Sequence, residues 1–208
     1  MTRAAFVRAH TGLAVVPFVP EIRLFTATAV MPLWHATADI LEAHDVAVPF
    51  WSVPWAGGQA LARWVLDHPD RVAGKRIVDF GAGSGLVAIA ARLAGAAHVQ
   101  AIDIDPTAGA AIALNAEANG VELRIHVGDV VGQALDADVL LAGDVWYEAA
   151  PAARFETWFR ALGAVVYTGD PGRHYVPADA EELARYDVPT TEELESAASR
   201  VTRVLRIG

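Results

Sequence analysis

Residues 76–86, Arg-Ile-Val-Asp-Phe-Gly-Ala-Gly-Ser-Gly-Leu, constrain the fold of this chain more than any other stretch. A short apolar strand runs into a turn with Gly81, Gly83 and Gly85 at alternate positions, and an alanine-rich helix follows near 84–95. So tight a turn needs residues without a Cβ, both for positive φ and for close backbone approach to a ligand. Three readings fit it: a ligand-free strand–helix turn, a dinucleotide site, or a site for another nucleotide-like molecule. The dinucleotide fingerprint GxGxxG calls for a third glycine at position 86, where Leu86 stands. Asp79, two residues before Gly81, would repel a diphosphate at the carboxyl end of the strand and suits a cationic ligand. S-adenosylmethionine carries a sulfonium and an α-ammonium and no phosphate, so it meets both conditions. Asp79, Gly81 and Gly83 are therefore candidate holders of a methyl donor.

The following elements extend the pattern. Residues 98–106 form a second strand that ends in Asp103, 22 residues after Gly81 and 18 after Gly85. An acidic residue about 20 positions beyond such glycines accepts hydrogen bonds from ribose hydroxyls in doubly wound folds. Asp105-Pro106 makes a helix start, with Asp as N-cap and Pro in the first turn, so Asp103 is the ribose candidate. A third short strand leads to Val127-Gly-Asp129-Val, where Asp129 would sit beside the adenine of a bound donor; a plain turn or helix cap fits it equally.

From residue 75 onward, strands and helices alternate. Helices are expected near 106–119, ended by Asn119-Gly120, and near 149–162; further strands are expected at 121–127, 137–144 and 164–169. Such alternation means a mostly parallel, Rossmann-like α/β sheet with helices on both faces. Residues 183–189 and 200–207 read as two more strands, the second suited to an edge or next-to-edge place. Seven strands with the last antiparallel is the layout of the class I methyltransferase fold, which supplies strand order and direction by analogy. The chain reads as one domain, residues 1–208. Residues 1–50, broken by Pro17, Pro20 and Pro32, read as a helical or irregular extension over the cofactor mouth.

Composition narrows the classes. With 54% hydrophobic and 20% charged residues the chain can bury a core and is not a disordered segment. A net charge of −9 and a single lysine, Lys75, argue against a large nucleic-acid interface. No apolar run reaches the length of a membrane span, and no secretion signal is evident, so neither a nucleic acid nor a membrane is an expected partner. The chain has no cysteine, hence no disulfide, thiolate metal site or cysteine nucleophile, and a cytoplasmic setting is the default. The seven histidines show no metal-ligand spacing, so no metal is expected. Glu181, Glu182, Glu192, Glu193 and Glu195 read as a solvated acidic face, and Trp64 as a packing residue on a helix spanning 59–67.

Further motifs go beyond a generic cofactor fold: Trp55-Ala-Gly-Gly-Gln before the first strand, Asp144-Val-Trp-Tyr147 after the fourth, and Gly169-Asp-Pro-Gly-Arg173 after the fifth. With Asp103-Ile-Asp-Pro and Asn115, this set resembles the seven-strand protein lysine methyltransferases. Within them it is most similar to the enzymes that methylate the beta subunit of electron-transfer flavoprotein, and the resemblance covers roughly residues 17–207. It implies that Trp55 and Gly58 border the cofactor, that Asp79, Gly81 and Gly83 hold its methionine end, and that Asp103 takes the ribose. Asp144 and Tyr147 would line the channel for the substrate amine, with Trp146 helping to wall it, and Asp170 and Arg173 would form the rim around the target peptide. The last strand departs from the family, carrying Leu205 or Ile207 where an aromatic residue is usual.

The chemistry such a site must perform follows from the nucleophile. Only about one lysine in a few thousand is neutral at pH 7, so an apolar channel that lowers its pKa helps, while Asp144 by itself would raise it. Asp144 is thus expected to aim the amine and accept a hydrogen bond from it, with Tyr147 as an aromatic wall. Three functions remain open at this level: a lysine methyltransferase for the flavoprotein beta subunit, a methyltransferase for a ribosomal protein or small-molecule amine, and a non-catalytic module that keeps the fold.

Overall fold

The computed structural model describes residues 1–27, 48–190 and 197–208. Pro32, His35, His44, Glu192, Glu193 and Glu195 of the sequence reading lie outside them. The chain opens with helix α1 (Arg3–His10) and an antiparallel hairpin of β1 (Gly12–Val16) and β2 (Val19–Thr26). Helix α2 (Ala56–Asp67) precedes the main sheet. There follow β3 (Arg76–Phe80), α3 (Leu86–Leu93), β4 (His98–Asp103), α4 (Pro106–Ala118) and β5 (Arg124–Val127). The second half comprises β6 (Val139–Gly143), α5 (Ala149–Ala161), β7 (Val165–Asp170), β8 (Glu181–Pro189) and β9 (Ser199–Ile207).

The seven strands lie in the order β5-β4-β3-β6-β7-β9-β8. The first five run parallel, and β9 is antiparallel to both β7 and β8. This is the expected mostly parallel sheet with an antiparallel last strand. The chain moves outward from β3 to β5 and then returns to β6 on the other side of β3. Order therefore reverses at the β3/β6 boundary, where open α/β sheets leave a crevice beyond the carboxyl strand ends.

Period-two alternation assigns the strand residues to two cores. Ile77 and Val139 and Leu141 face a layer built from α2, α3 and the hairpin, including Leu61, Ile89 and Ile22. Val78, Phe80, Leu140 and Ala142 face the opposite layer, with Trp146, Trp158 and Phe159. Because both faces are covered, the central strands read as continuous apolar runs. The short β5 is exposed along its length and closes the sheet with Arg124 and His126.

The N-terminal segment differs from expectation at residues 12–26, which form the hairpin. Pro17 lies in the tight connection, and Pro20 is the exposed second residue of β2, positions where a missing N–H costs little. Two side chains of α4 complete the β2 edge. Asn115 accepts from the Phe25 N–H at 2.7 Å and donates to the Ser84 carbonyl of the glycine turn at 2.8 Å. Asn119 exchanges two hydrogen bonds with the Arg23 backbone. The turn and the hairpin are thus tied through one buried asparagine. Among the described residues no helix is long and apolar enough to cross a membrane.

Helix α2 sits unusually close to the sheet. A Cβ on Gly169 at the end of β7 would overlap the Gly57 carbonyl, and one on Gly143 at the end of β6 would lie 2.8 Å from the Gly58 Cα. Gly57 in turn faces the Gly169 carbonyl and the Asp144 backbone, while a Cβ on Gly58 would meet open space. Replacing Gly169 by Ala should therefore destabilise the protein by about 2 kcal/mol or more, lowering the thermal midpoint by roughly 4–8 °C. Gly58→Ala should leave the midpoint within about 2 °C, since a helical Gly→Ala change meets no neighbour. Circular-dichroism melts of the two variants check this; equal midpoints would mean the helix does not depend on the close approach.

Candidate active site

The site forms where β3, β4, β6 and β7 end. After β3 the backbone passes through Gly81, Gly83 and Gly85 with φ of 64°, 52° and 80°. All three are left-handed, which accounts for glycine at each. Gly85 caps α3 directly and packs against Ile112. Asp79 is buried and accepts from the Ala88 N–H at the start of α3 at 2.9 Å. Burial pushes its carboxyl up to about 8, with the charge of Asp103 adding to the effect and the Ala88 N–H opposing it.

Asp103 closes β4 and folds the turn back on itself. Its two oxygens accept from the Gly83 N–H at 2.8 Å and the Asp105 N–H at 2.9 Å. Burial raises its pKa, and so does Asp105, while those two N–H groups lower it. Asp105 instead caps α4 by accepting from the Thr107 N–H, as its place before Pro106 predicts. Ile104 between them is 74% exposed, an apolar side chain presented beside the ribose candidate. An open cleft joins Asp79, Gly81, Gly83 and Leu86 on one wall to Trp55, Gly58 and Phe50 on the other. It combines a buried carboxyl, backbone amides and flat apolar surfaces, which fits an amphiphilic cation.

Asp144 stands at the β6 end with φ of 58°, the left-handed region that a non-glycine residue adopts at a cost of order 1–3 kcal/mol. Surrounding contacts hold it there. Its N–H donates to the Gly169 carbonyl at 2.9 Å, and one carboxylate oxygen accepts from the Gly57 N–H at 2.6 Å. The other oxygen accepts from Nε of Arg173 at 2.9 Å and pairs with its terminal nitrogen at 2.8 Å. The α2 N-terminus and a guanidinium therefore aim this carboxylate together.

Tyr147 is half exposed, and its ring stacks on Phe50 with centroids 6.4 Å apart. Phe50 also lies 6.2 Å from Trp55, whose indole N–H donates to the Phe50 carbonyl. These three rings make an aromatic lip over the cleft. Burial raises the Tyr147 pKa, with the charges of Glu148, Asp103 and Asp144 adding and Arg173 opposing. Phe50 belongs to the 49–63 segment that carries the Trp55 motif, but its role on the cleft wall is not legible there, since it depends on the contacts with Trp55 and Tyr147.

Two expected site residues do other work. Trp146 does not wall a channel: it is fully buried, edge-on to Phe159, and its indole N–H donates to the Thr168 hydroxyl at 2.8 Å. The chain turns sharply at Asp144, so the next side chains swing away from the cleft and Tyr147 alone of this pair faces it. Asp170 is buried and forms no peptide rim; it accepts from the Gly172 and Arg173 N–H groups and pairs with Arg203 at 3.2 Å. It shapes the turn that presents Arg173. Asp129 is exposed at the turn after β5, where it accepts from the Val131 N–H and pairs with Arg154, the two contacts that lower its pKa.

The comparisons with known proteins agree with this geometry. A family model described as ribosomal protein L11 methyltransferase (PrmA) matches residues 63–144. The electron transfer flavoprotein beta subunit lysine methyltransferase of Rattus norvegicus is 38% identical over 181 residues, covering 82% of this chain and 70% of the rat protein. Its Xenopus laevis counterpart is 36% identical over 203 residues, covering 92% and 81%. The structure of magnesium protoporphyrin IX methyltransferase from Synechocystis PCC 6803 with bound SAM superposes with a TM-score of 0.54 at 19% identity, over 72% of this chain and 77% of that one. Strand order, glycine turn and relatives together define a seven-stranded S-adenosylmethionine-dependent methyltransferase. More narrowly, the chain belongs to the electron transfer flavoprotein beta subunit lysine methyltransferase family.

Asp79 gives donor binding a proton signature. Its raised folded pKa contributes stability that is fully present below the ordinary carboxylate pKa of about 4 and is lost as pH rises through about 8. A cationic donor favours the ionised form, so binding near pH 7 should release up to about one proton. Calorimetric titration with S-adenosylmethionine in two buffers of different ionisation enthalpy measures this. The release should vanish in Asp79→Asn, and identical heats in both buffers for the unmodified protein would remove Asp79 from the donor's charged contacts.

Proposed function

We infer that this protein transfers a methyl group from S-adenosylmethionine to a lysine side chain of the electron transfer flavoprotein beta subunit. What supports the reading is that Asp144 takes the N–H of Gly57, next to Gly58 of the cleft, and that Tyr147 stacks on Phe50 of the cleft, in a chain whose relatives at 36–38% identity bear that activity in their names. The matched ribosomal-protein methyltransferase segment ends at residue 144. It spans the donor-holding half and stops short of Tyr147 and the Gly169–Arg173 turn, so it speaks for the donor and leaves the acceptor to the other half. A cytoplasmic setting belongs to the same reading and suits a chain without cysteine.

In this assignment Asp79, Gly81 and Gly83 hold the amino-acid end of the donor, Asp103 its ribose, and Trp55 and Gly58 the opposite wall. When bound, the donor supplies an electrophilic methyl group on a sulfonium sulfur. The protein's part is to bring a neutral amine to it in line and keep water away. Asp144, fixed by the Gly57 N–H and Arg173, accepts a hydrogen bond from the entering amine and sets its direction. Phe50, Trp55 and Tyr147 surround the aliphatic stem and disfavour the charged ammonium by excluding water. In this reading Arg173, whose backbone N–H the Asp170 turn holds, is the side chain that faces the target peptide.

Incubation of the enzyme and labelled donor with purified flavoprotein beta subunit, and separately with ribosomal protein L11, should label a lysine of the first. Asp144→Asn, which keeps the shape of the carboxylate, should lower transfer by about 100-fold or more, the range for removing a positioned polar group. Its donor affinity should stay within about threefold, since Asp144 lies on the acceptor side. Label confined to the ribosomal protein would overturn the substrate assignment, and a matching loss of donor affinity would overturn the role of Asp144.

A further inference from the structure

The Asp144–Arg173 pair presents a problem that the lysine reading must solve. A buried carboxylate at the place where the amine enters would bind the ammonium and raise its pKa, which holds the substrate in its unreactive form. Yet a hydrogen-bond acceptor is needed there to aim the nitrogen. We propose that Arg173 is a positioning residue that offsets the charge of Asp144, so that the channel accepts the substrate lysine as a neutral amine. The proposal rests on the lysine-transfer reading given above.

The geometry carries it. The guanidinium meets one carboxylate oxygen with two nitrogens, at 2.9 and 2.8 Å, while the other oxygen takes the Gly57 N–H at 2.6 Å. Asp144 is buried and Arg173 is mostly so, which keeps water from screening the pair. Arg173 is held from behind, since Asp170 accepts from its backbone N–H and is itself paired with Arg203. Arginine suits the task because its guanidinium stays charged at every working pH and offers the carboxylate two donors at once.

The other charged groups near this spot make the compensation necessary. Asp103 from the end of β4 and Glu148 beside Tyr147 act on the same phenol as Asp144, and Arg173 acts on it in the opposite sense. Asp79 of β3 lines the adjoining cleft, and Arg203 of β9 is engaged with Asp170. From α2 comes the dipole of its first amides, aimed at Asp144. Without Arg173 the acceptor side carries uncompensated negative charge, and an ammonium would lodge against Asp144.

The test is the pH dependence of transfer to the flavoprotein beta subunit in Arg173→Gln and Arg173→Lys, with melting midpoint and donor affinity measured alongside. The unmodified enzyme's kcat rises with pH until the bound amine is neutral. In Arg173→Gln that rise should move upward by roughly one pH unit or more, so that kcat falls about tenfold at pH 7 and recovers at high pH. Substrate binding without donor, followed by calorimetry, should be as tight or tighter at pH 7, because Asp144 loses the guanidinium that competes with the ammonium for it. Arg173→Lys keeps a charge beside the carboxylate and should restore most of the profile; if the Gln variant fails to fold, Arg173→Met, which also removes the charge, is read in its place. A higher KM with an unshifted profile in a folded variant would show that Arg173 merely touches the target protein, and would overturn the proposal while leaving the lysine reading intact. No transfer by the unmodified enzyme would overturn both.

Discussion

A backbone contact without side chains sets up the whole acceptor side. Gly57 and Gly58 at the start of α2 press on Gly143 and Gly169 at the ends of β6 and β7, at distances where a Cβ would overlap neighbouring backbone. That approach delivers the Gly57 N–H to Asp144 and puts Trp55 and Gly58 on the cleft wall. It also brings the Gly169 carbonyl to the Asp144 N–H, which helps hold the left-handed turn on which that residue sits. Three glycine-containing motifs, more than a hundred residues apart at the extremes, are therefore one structural device.

This explains which parts of the molecule could be read from the chain. The glycine turn, the Asp105 cap and the alternation of strands and helices depend on neighbours in sequence, and they stand where local chemistry puts them. The hairpin was hidden because Pro17 and Pro20 look like breakers; they are harmless at a turn and on an exposed strand end, which only the pairing reveals. Trp146 and Tyr147 are adjacent, yet one is core and the other is lip. Which is which depends on the sharp turn at Asp144, and that turn depends on contacts from α2 and β7. Likewise the Asp144–Arg173 pair joins positions 29 apart, and no periodicity marks it.

The carboxylates at the strand ends divide by their partners. Asp79 and Asp103, after β3 and β4, have backbone N–H groups as their hydrogen-bond donors, and burial drives both toward the neutral form. Asp144 and Asp170, after β6 and β7, have arginines as well. A carboxyl without a cation is able to receive one, so the first pair suits a positively charged donor. A carboxylate already paired with a guanidinium keeps its hydrogen-bonding geometry while giving up much of its attraction for a second cation.

The topology makes this division possible. The strand order reverses between β3 and β6, so the crevice opens beyond the carboxyl ends of strands from both halves of the sheet, with Phe50, Trp55 and Gly58 opposite the glycine turn. The segment shared with the ribosomal-protein methyltransferase model ends at residue 144, at the turn after β6. Donor chemistry is common to both kinds of enzyme, whereas the acceptor must differ. In the proposed assignment the donor's charge partners lie before the switch point and the acceptor's after it, so a change of substrate would need only the β6 and β7 turns. Arg173, in the turn after β7 and reaching back to the end of β6, is then the residue through which such a change would be felt at the reacting nitrogen.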